Sequence, residues 1–131
     1  MRATKRQHLP PDIDKKSVIA LKAFFGITQK WQLSSEQERI LLGDLPKATF
    51  YRWKQQRYAH LGADTLERIS YILGIYKALR ILLPNEQQAN AWIHKPNAAF
   101  LFAGHSALEK LLQGRVIDLA DVRRYLDAER G

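Results

Sequence analysis

The sequence predicts an all-α fold in which two helical modules are joined by a long helix. Apolar residues recur at helical spacing along most of the 131 residues, and only residues 98–104 form an apolar run that could be a strand. Residues that favour helix caps, together with glycines and prolines, divide the chain into helical segments. The charge is uneven, because residues 1–78 carry 14 Lys and Arg against 7 Asp and Glu, whereas residues 79–131 carry 7 against 6.

Composition limits the class of protein. An apolar content of 46% argues against disorder, and the chain lacks a run of about 18 uncharged apolar residues that would suggest a membrane span. The N-terminus has no apolar core after its charges, so we expect no signal peptide. Cysteine is absent, which excludes disulfides and thiolate metal sites and is consistent with a cytoplasmic location. The net charge of +8 indicates a polyanion partner rather than a membrane surface.

The charge distribution and the helix breaks predict three parts. Residues 1–13 are predicted to be a flexible basic arm, which either follows a phosphate backbone or is a frayed terminus. Residues 14–78 form the basic module, and residues 79–131 form a nearly neutral module with another task.

The first helix is predicted to span residues 14–25, with Asp14 as its N-cap and Gly26 as its end. Residues 27–33 are predicted to be a short helix or turn that places Trp31 in the core. The inward face of the first helix carries Val18, Leu21, Phe24 and Phe25.

Residues 34–57 are predicted to form two short helices with a tight break between them. Ser35 and Glu38 have the spacing of a capping box at the start of the first of these helices. Gly43 supplies the backbone freedom that the end of a helix often needs. Pro46 suits the first turn of the next helix, because its missing N–H has no intrahelical partner there.

The second of these helices has an apolar side and a basic side. Phe50 and Trp53 are three residues apart and are predicted to pack inward, whereas Arg39, on the preceding helix, stands where a small residue would ease helix crossing. This arrangement predicts a helix-turn-helix whose second helix enters the major groove of DNA, although a solvated basic face is the alternative. The outward side carries Lys47, Thr49, Tyr51, Arg52, Lys54, Gln55 and Arg57.

A long helix is predicted from Asp64, its N-cap, to about Leu83, and Pro84 follows. Gly74 lies in its interior, where it either permits close packing or marks a bend. This helix is predicted to be the spine that joins the two modules.

The C-terminal module is predicted to contain short helices around a packed loop. Residues 84–93 form a helix with Trp92 inward, and residues 98–104 form the loop. Ser106 caps a helix over residues 107–113, and Asp118 caps the last helix, over residues 119–128. The inward face of the last helix carries Leu119, Val122, Tyr125 and Leu126.

No catalytic or metal-binding pattern is visible in the sequence. The four histidines are scattered and lack the spacing of metal ligands, and no glycine-rich phosphate loop is present. We therefore predict a binding protein that is not an enzyme and needs no metal and no cofactor.

Several segments resemble a known family. Residues 23–27 (AFFGI), 31–34 (WQLS), 41–43 (LLG), 49–54 (TFYRWK) and 66–70 (LERIS) resemble the Xre-like helix-turn-helix domain of antitoxins. Residues 91–97 (AWIHKPN), 104–108 (GHSAL), 111–114 (LLQG) and 122–127 (VRRYLD) resemble the toxin-binding domain of Xre/MbcA/ParS antitoxins. Two residues depart from the pattern, because Ala103 stands where a glycine is expected and His105 where an arginine is expected.

The resemblance implies a bacterial type II antitoxin whose partner is a RES-domain toxin that degrades NAD+. It implies that the antitoxin covers the entrance to the active site of the toxin. It also implies a homodimer, within a toxin–antitoxin hetero-oligomer, that binds operator DNA and represses its own operon. A stand-alone transcriptional regulator, whose C-terminal module dimerises or senses a ligand, is the alternative.

Two sets of site residues follow from these implications. For DNA, Lys47, Lys54 and Arg57 are predicted to contact phosphates, while Thr49 and Arg52, with Tyr51 as a further candidate, read bases. For the toxin, the last helix and tail are predicted to enter a pocket, and the 100–105 loop supports them, because arginines there could pair with groups that otherwise bind an anionic substrate. A solvated surface helix is the alternative. The predicted toxin-binding residues are Phe100, His105, Arg123, Arg124, Tyr125 and Arg130.

Overall fold

A computed structural model describes residues 14–56 and 60–131, and within these ranges the chain is all-α, as predicted. These ranges contain seven α-helices and no β-strand, and a single antiparallel bridge joins Pro96 and Ser106. The predicted arm and Arg57 lie outside the described residues. The helices are α1 (Lys15–Lys30), α2 (Ser35–Leu41), α3 (Lys47–Gln56), α4 (Ala63–Leu82), α5 (Glu86–Ala91), α6 (Ala107–Leu111) and α7 (Val116–Glu129), with a 3-10 turn at Trp92–His94.

The first helix is longer than predicted. Asp14 is its N-cap, as expected, and its carboxylate accepts a hydrogen bond from the Lys16 amide. The prediction that the helix ends at Gly26 was wrong, because α1 continues to Lys30. The last turn buries Ile27 and Thr28, and this packing outweighs the cost of about 1 kcal/mol for an interior glycine.

The capping box of α2 lies one residue earlier than predicted. The Ser34 hydroxyl accepts a hydrogen bond from the Gln37 amide at 3.1 Å, and the Gln37 side chain accepts one from the Ser34 amide at 2.8 Å. The predicted pair, Ser35 and Glu38, was therefore wrong. Glu38 faces the interior instead and is only 4% exposed.

The break between α2 and α3 follows the prediction for Gly43, which has a φ of +111° just after the end of α2. Arg39 holds this break together. Its guanidinium donates hydrogen bonds to the Leu45 carbonyl at 2.7 Å and to the Asp44 carboxylate at 2.9 Å. The large side chain therefore clamps the turn, which explains why a small residue is not required at this position.

The central helix α4 packs against both α1 and α7. Its predicted end is confirmed, with Leu83 as C-cap, but its predicted N-cap was wrong. Gly62 is the N-cap, and Asp64 lies in the first turn, where it accepts a hydrogen bond from Arg68 at 3.0 Å. The buried apolar side chains form one continuous cluster that includes residues from both sides of residue 78. The predicted domain boundary stays a prediction.

Helix α7 also begins earlier than predicted. Arg115 is its N-cap position, so the prediction that Asp118 caps it was wrong. Asp118 lies in the first turn with its side chain completely buried. Further along α7, the Arg123 guanidinium lies directly against Gly74 of α4, where a Cβ atom would collide with it. Gly74 therefore permits close packing, one of its two predicted roles.

No helix among the described residues is both long enough and apolar enough to cross a bilayer.

Candidate nucleic-acid and protein interfaces

Helix α3 is held by the apolar contacts that were predicted. Phe50 is fully buried and Trp53 packs against the core as a half-buried side chain. The Phe50 ring contacts that of Phe25 on α1, with centroids 6.1 Å apart. These contacts fix which side of α3 faces solvent.

The outward side of α3 carries a group of polar and basic residues. Lys47 and Arg52 are exposed and Thr49 is half-buried. Tyr51 is 53% exposed, and its ring packs edge-to-face on that of Phe50 at 5.1 Å. Three of the six predicted DNA-binding residues, Lys47, Tyr51 and Arg52, are therefore exposed on α3, where their cations and hydroxyl group are available to a ligand, and Thr49 is a fourth, half-buried one.

Lys54 has a different environment from the other predicted DNA contacts. Its ammonium donates hydrogen bonds to the Glu38 carboxylate at 2.7 Å and to the Ser35 hydroxyl at 3.0 Å. The other Glu38 oxygen accepts a hydrogen bond from the Thr28 hydroxyl at 2.6 Å. The sequence reasoning missed Glu38 and Thr28. Their inward position could have been predicted from the sequence, because Glu38 lies three residues before the buried Leu41 and Thr28 lies three residues after the buried Phe25.

Hydrogen bonds hold the loop of residues 98–104 in one conformation. The Asn97 amide donates to the His105 carbonyl at 3.0 Å, and the Gly104 amide donates to the Asn97 carbonyl at 2.8 Å. The Asn97 side chain accepts a further hydrogen bond from the Ala99 amide. Ala103 and Gly104 both have positive φ, +50° and +90°, so the departure at Ala103 places a non-glycine residue in the left-handed region. The predicted packed loop is confirmed.

Two phenylalanines of this loop point in opposite directions. Phe102 is 3% exposed and packs edge-to-face on Trp92 and Tyr125. Phe100 is 100% exposed, although the backbone around it is fixed by hydrogen bonds. A fully exposed aromatic side chain on an ordered loop is a feature of interaction surfaces, because its backbone loses little freedom on binding. His105 is also exposed and its Nδ1 lies 2.9 Å from the Glu109 carboxylate.

The predicted arginines of α7 and the tail are all paired with carboxylates of the same helix. Arg124 is the most exposed, with 69% of its side chain accessible, and its partner is Asp121 at 3.4 Å. Arg123 and Arg130 share Asp127, at 3.3 Å and 3.6 Å. Exposed pairs of this kind are weak, so a partner can replace them at small cost. Tyr125 stacks on Trp92, so part of its ring surface is covered within the chain and is not available to a partner.

The first turn of α7 contains a buried carboxylate, that of Asp118. Asp118 accepts hydrogen bonds from Arg115 at 2.9 and 3.0 Å and from Lys110 at 3.0 Å. The hydrogen bonds from Arg115 lower the pKa of Asp118 below its ordinary value of 3.8, and the one from Lys110 adds to this effect, although burial opposes it. Within residues 14–56 and 60–131, no group of three His, Cys, Asp or Glu side chains could hold a metal ion.

Known proteins match both parts of this arrangement. Residues 18–74 match the family model described as the antitoxin Xre-like helix-turn-helix domain. Residues 78–131 match the antitoxin Xre/MbcA/ParS C-terminal toxin-binding domain. The chain is also 49% identical over 122 residues to the uncharacterized protein y4oB of Sinorhizobium fredii (strain NBRC 101917 / NGR234), and these residues cover 92% of each chain.

The fold and these matches define the protein as the antitoxin of a toxin–antitoxin system, with a helix-turn-helix domain and a toxin-binding domain. The chain belongs to the Xre/MbcA/ParS antitoxin family.

Proposed function

We propose that this antitoxin neutralises a RES-domain toxin that degrades NAD+, by covering the entrance to its active site. We further propose that it acts as a homodimer in the toxin–antitoxin complex, binds its own operator and represses its operon. Two features of one chain carry the proposal. One is the recognition face of α3, formed by the exposed Lys47, Tyr51 and Arg52 with the half-buried Thr49, and the other is the exposed Phe100 on the hydrogen-bonded loop of the toxin-binding region.

For DNA, the support is the exposed face of α3. Arg52 presents a guanidinium fork that matches the O6 and N7 acceptors of guanine, and Thr49 and Tyr51 add hydroxyl groups. Lys47 lies at the start of the helix, where a phosphate would meet both its ammonium and the positive end of the helix dipole. Arg57 extends the same predicted phosphate contacts beyond the described residues.

For the toxin, the support is the combination of an exposed apolar side chain, Phe100, and exposed cations on α7 and the tail. Phe100 can fill an apolar pocket at the rim of an active site, and His105, at the end of the same loop, is also exposed. Arg124 and Arg130 can then exchange their weak partners on α7 for groups of the toxin that otherwise bind an anionic substrate. Arg123 and Tyr125 lie on the same helix, and they support this surface while also packing within the chain.

Co-expression with the reading frame next to its gene tests the proposal. We expect the neighbouring product to co-purify with the antitoxin and, once separated from it, to consume NAD+. We also expect the antitoxin to bind the DNA upstream of its gene. If the neighbouring product neither co-purifies nor consumes NAD+ while promoter binding persists, the chain is a stand-alone regulator instead.

A further inference from the structure

We propose that Glu38 is a positioning residue that sets the orientation of α3 on DNA, and that Lys54 acts through Glu38 rather than through a phosphate. The inference deepens the proposed DNA-binding function and rests on it. It assigns sequence discrimination partly to side chains that never touch a base.

Glu38 connects three helices through one carboxylate. Its side chain belongs to α2 and is 5% exposed. One oxygen accepts the hydrogen bond from Thr28 on α1 at 2.6 Å, and the other accepts that from Lys54 on α3 at 2.7 Å. A buried carboxylate is costly unless both oxygens are satisfied, so the network tolerates only a narrow range of helix positions.

The position of Lys54 supports a role inside the protein. Its ammonium donates hydrogen bonds to both Glu38 and Ser35. The ammonium also lies 5.8 Å from the ring centroids of both Phe25 and Phe50, a favourable cation–π distance. A phosphate contact would have to compete with all these interactions.

Helix geometry transmits this constraint to the DNA-facing side. Lys54 follows Phe50 by four residues, so both lie on the inward face of α3. Arg52 is two residues from each of them, about 200° around the helix axis, and therefore lies on the opposite face. Because bidentate base recognition requires correct placement, a tilt or rotation of α3 that leaves it folded would still displace Arg52 from its base.

The test compares binding of the full chain to its own promoter fragment and to an unrelated fragment of equal length, over a series of salt concentrations. The double variant Glu38→Gln/Lys54→Met removes both charges together, so no charge is left buried without a partner. We expect its preference for the promoter to fall about tenfold, with the salt slope and the affinity for unrelated DNA unchanged. Lys54→Arg, which keeps a cation beside Glu38, should retain most of the preference.

Lys47→Met is the matched control, because it removes an exposed lysine of the same helix. It should lower the salt slope by about 1 and weaken binding to both fragments by the same factor. If circular dichroism shows that the double variant is unfolded, Thr28→Val replaces it in the test, because it removes only one hydroxyl of the network. We expect Thr28→Val to lower the preference for the promoter by a smaller factor. The proposal is overturned if the double variant behaves as Lys47→Met does, with a lower salt slope and equally weakened binding to both fragments. If the unaltered chain shows no promoter preference, the DNA-binding function itself fails.

Discussion

At the residue scale, Asp118 shows how one polar side chain can organise the C-terminal region. It is completely buried, yet it accepts hydrogen bonds from Arg115 and Lys110, on opposite sides of the connection between α6 and α7. Removing a partner from a buried hydrogen-bonded charge costs more than the pair contributes net, because the remaining group stays desolvated.

We therefore expect Asp118→Asn to lower the free energy of unfolding by about 1–3 kcal/mol at neutral pH. The folded-state pKa of Asp118 lies below its ordinary value of 3.8, so its contribution is present above that pH and is lost as the pH falls through the folded-state pKa. In urea unfolding from about pH 7 to about pH 2, the difference between the unaltered chain and the variant should narrow below about pH 4. Asp127→Asn, at an exposed pair, should cost little at any pH; equal costs for the two variants would contradict this account.

A second prediction at this scale concerns Arg52. If its guanidinium reads a base, Arg52→Ala should lose about 1–3 kcal/mol of discrimination between the promoter fragment and unrelated DNA. Its affinity for unrelated DNA should change far less, because phosphate contacts dominate that affinity. Competition binding assays at two salt concentrations measure both quantities. Equal losses on the two fragments would make Arg52 a phosphate contact.

At the element scale, the existence of the helices and their inward faces could be predicted from apolar spacing, but several of the residues that cap them could not. Residues 34–38 contain two overlapping capping patterns, Ser34 with Gln37 and Ser35 with Glu38. Spacing alone cannot choose between them. The choice depends on tertiary structure, because Glu38 is needed inside the protein by Thr28 and Lys54 and is therefore not available to a cap.

The same limit applies to Lys54, which was grouped with the outward residues. A basic residue at the edge of a helix face can point to solvent or bend back to a buried carboxylate, and only the neighbouring helices decide which. Phe100 was predicted as part of the toxin-binding set from its position. The apolar run alone does not show that Phe100 is exposed and that Phe102 is the phenylalanine in the core.

The end of α7 gives a prediction at this scale. Residues 128–131 are exposed, so their removal should leave the fold intact. If Arg130 and the tail enter the toxin, this deletion should abolish rescue of growth when the antitoxin is co-expressed with its neighbouring product. Removal of Gly131 alone is the control and should preserve rescue. Full rescue by the longer deletion would show that the tail does not close the active site.

At the scale of the whole molecule, one continuous core supports two exposed surfaces. The core includes residues from both matched regions, and α4 packs against α1 and α7. The recognition face lies on α3, and the proposed anchor for the toxin, Phe100, lies on the loop of residues 98–104 before α6. None of the residues of one surface belongs to the other. This arrangement predicts that each surface can be disabled separately while the fold and the other surface are retained.

The most direct measurement is a paired assay of two variants, Phe100→Ala and Arg52→Ala, each tested for promoter binding and for co-purification with the neighbouring product. Truncating an anchor residue of an interface typically costs about 2 kcal/mol or more. We predict that Phe100→Ala loses the protein partner and keeps the promoter, whereas Arg52→Ala loses promoter preference and keeps the partner. If both variants lose both activities while remaining folded, or if neither variant loses any, the account of two separate surfaces is contradicted.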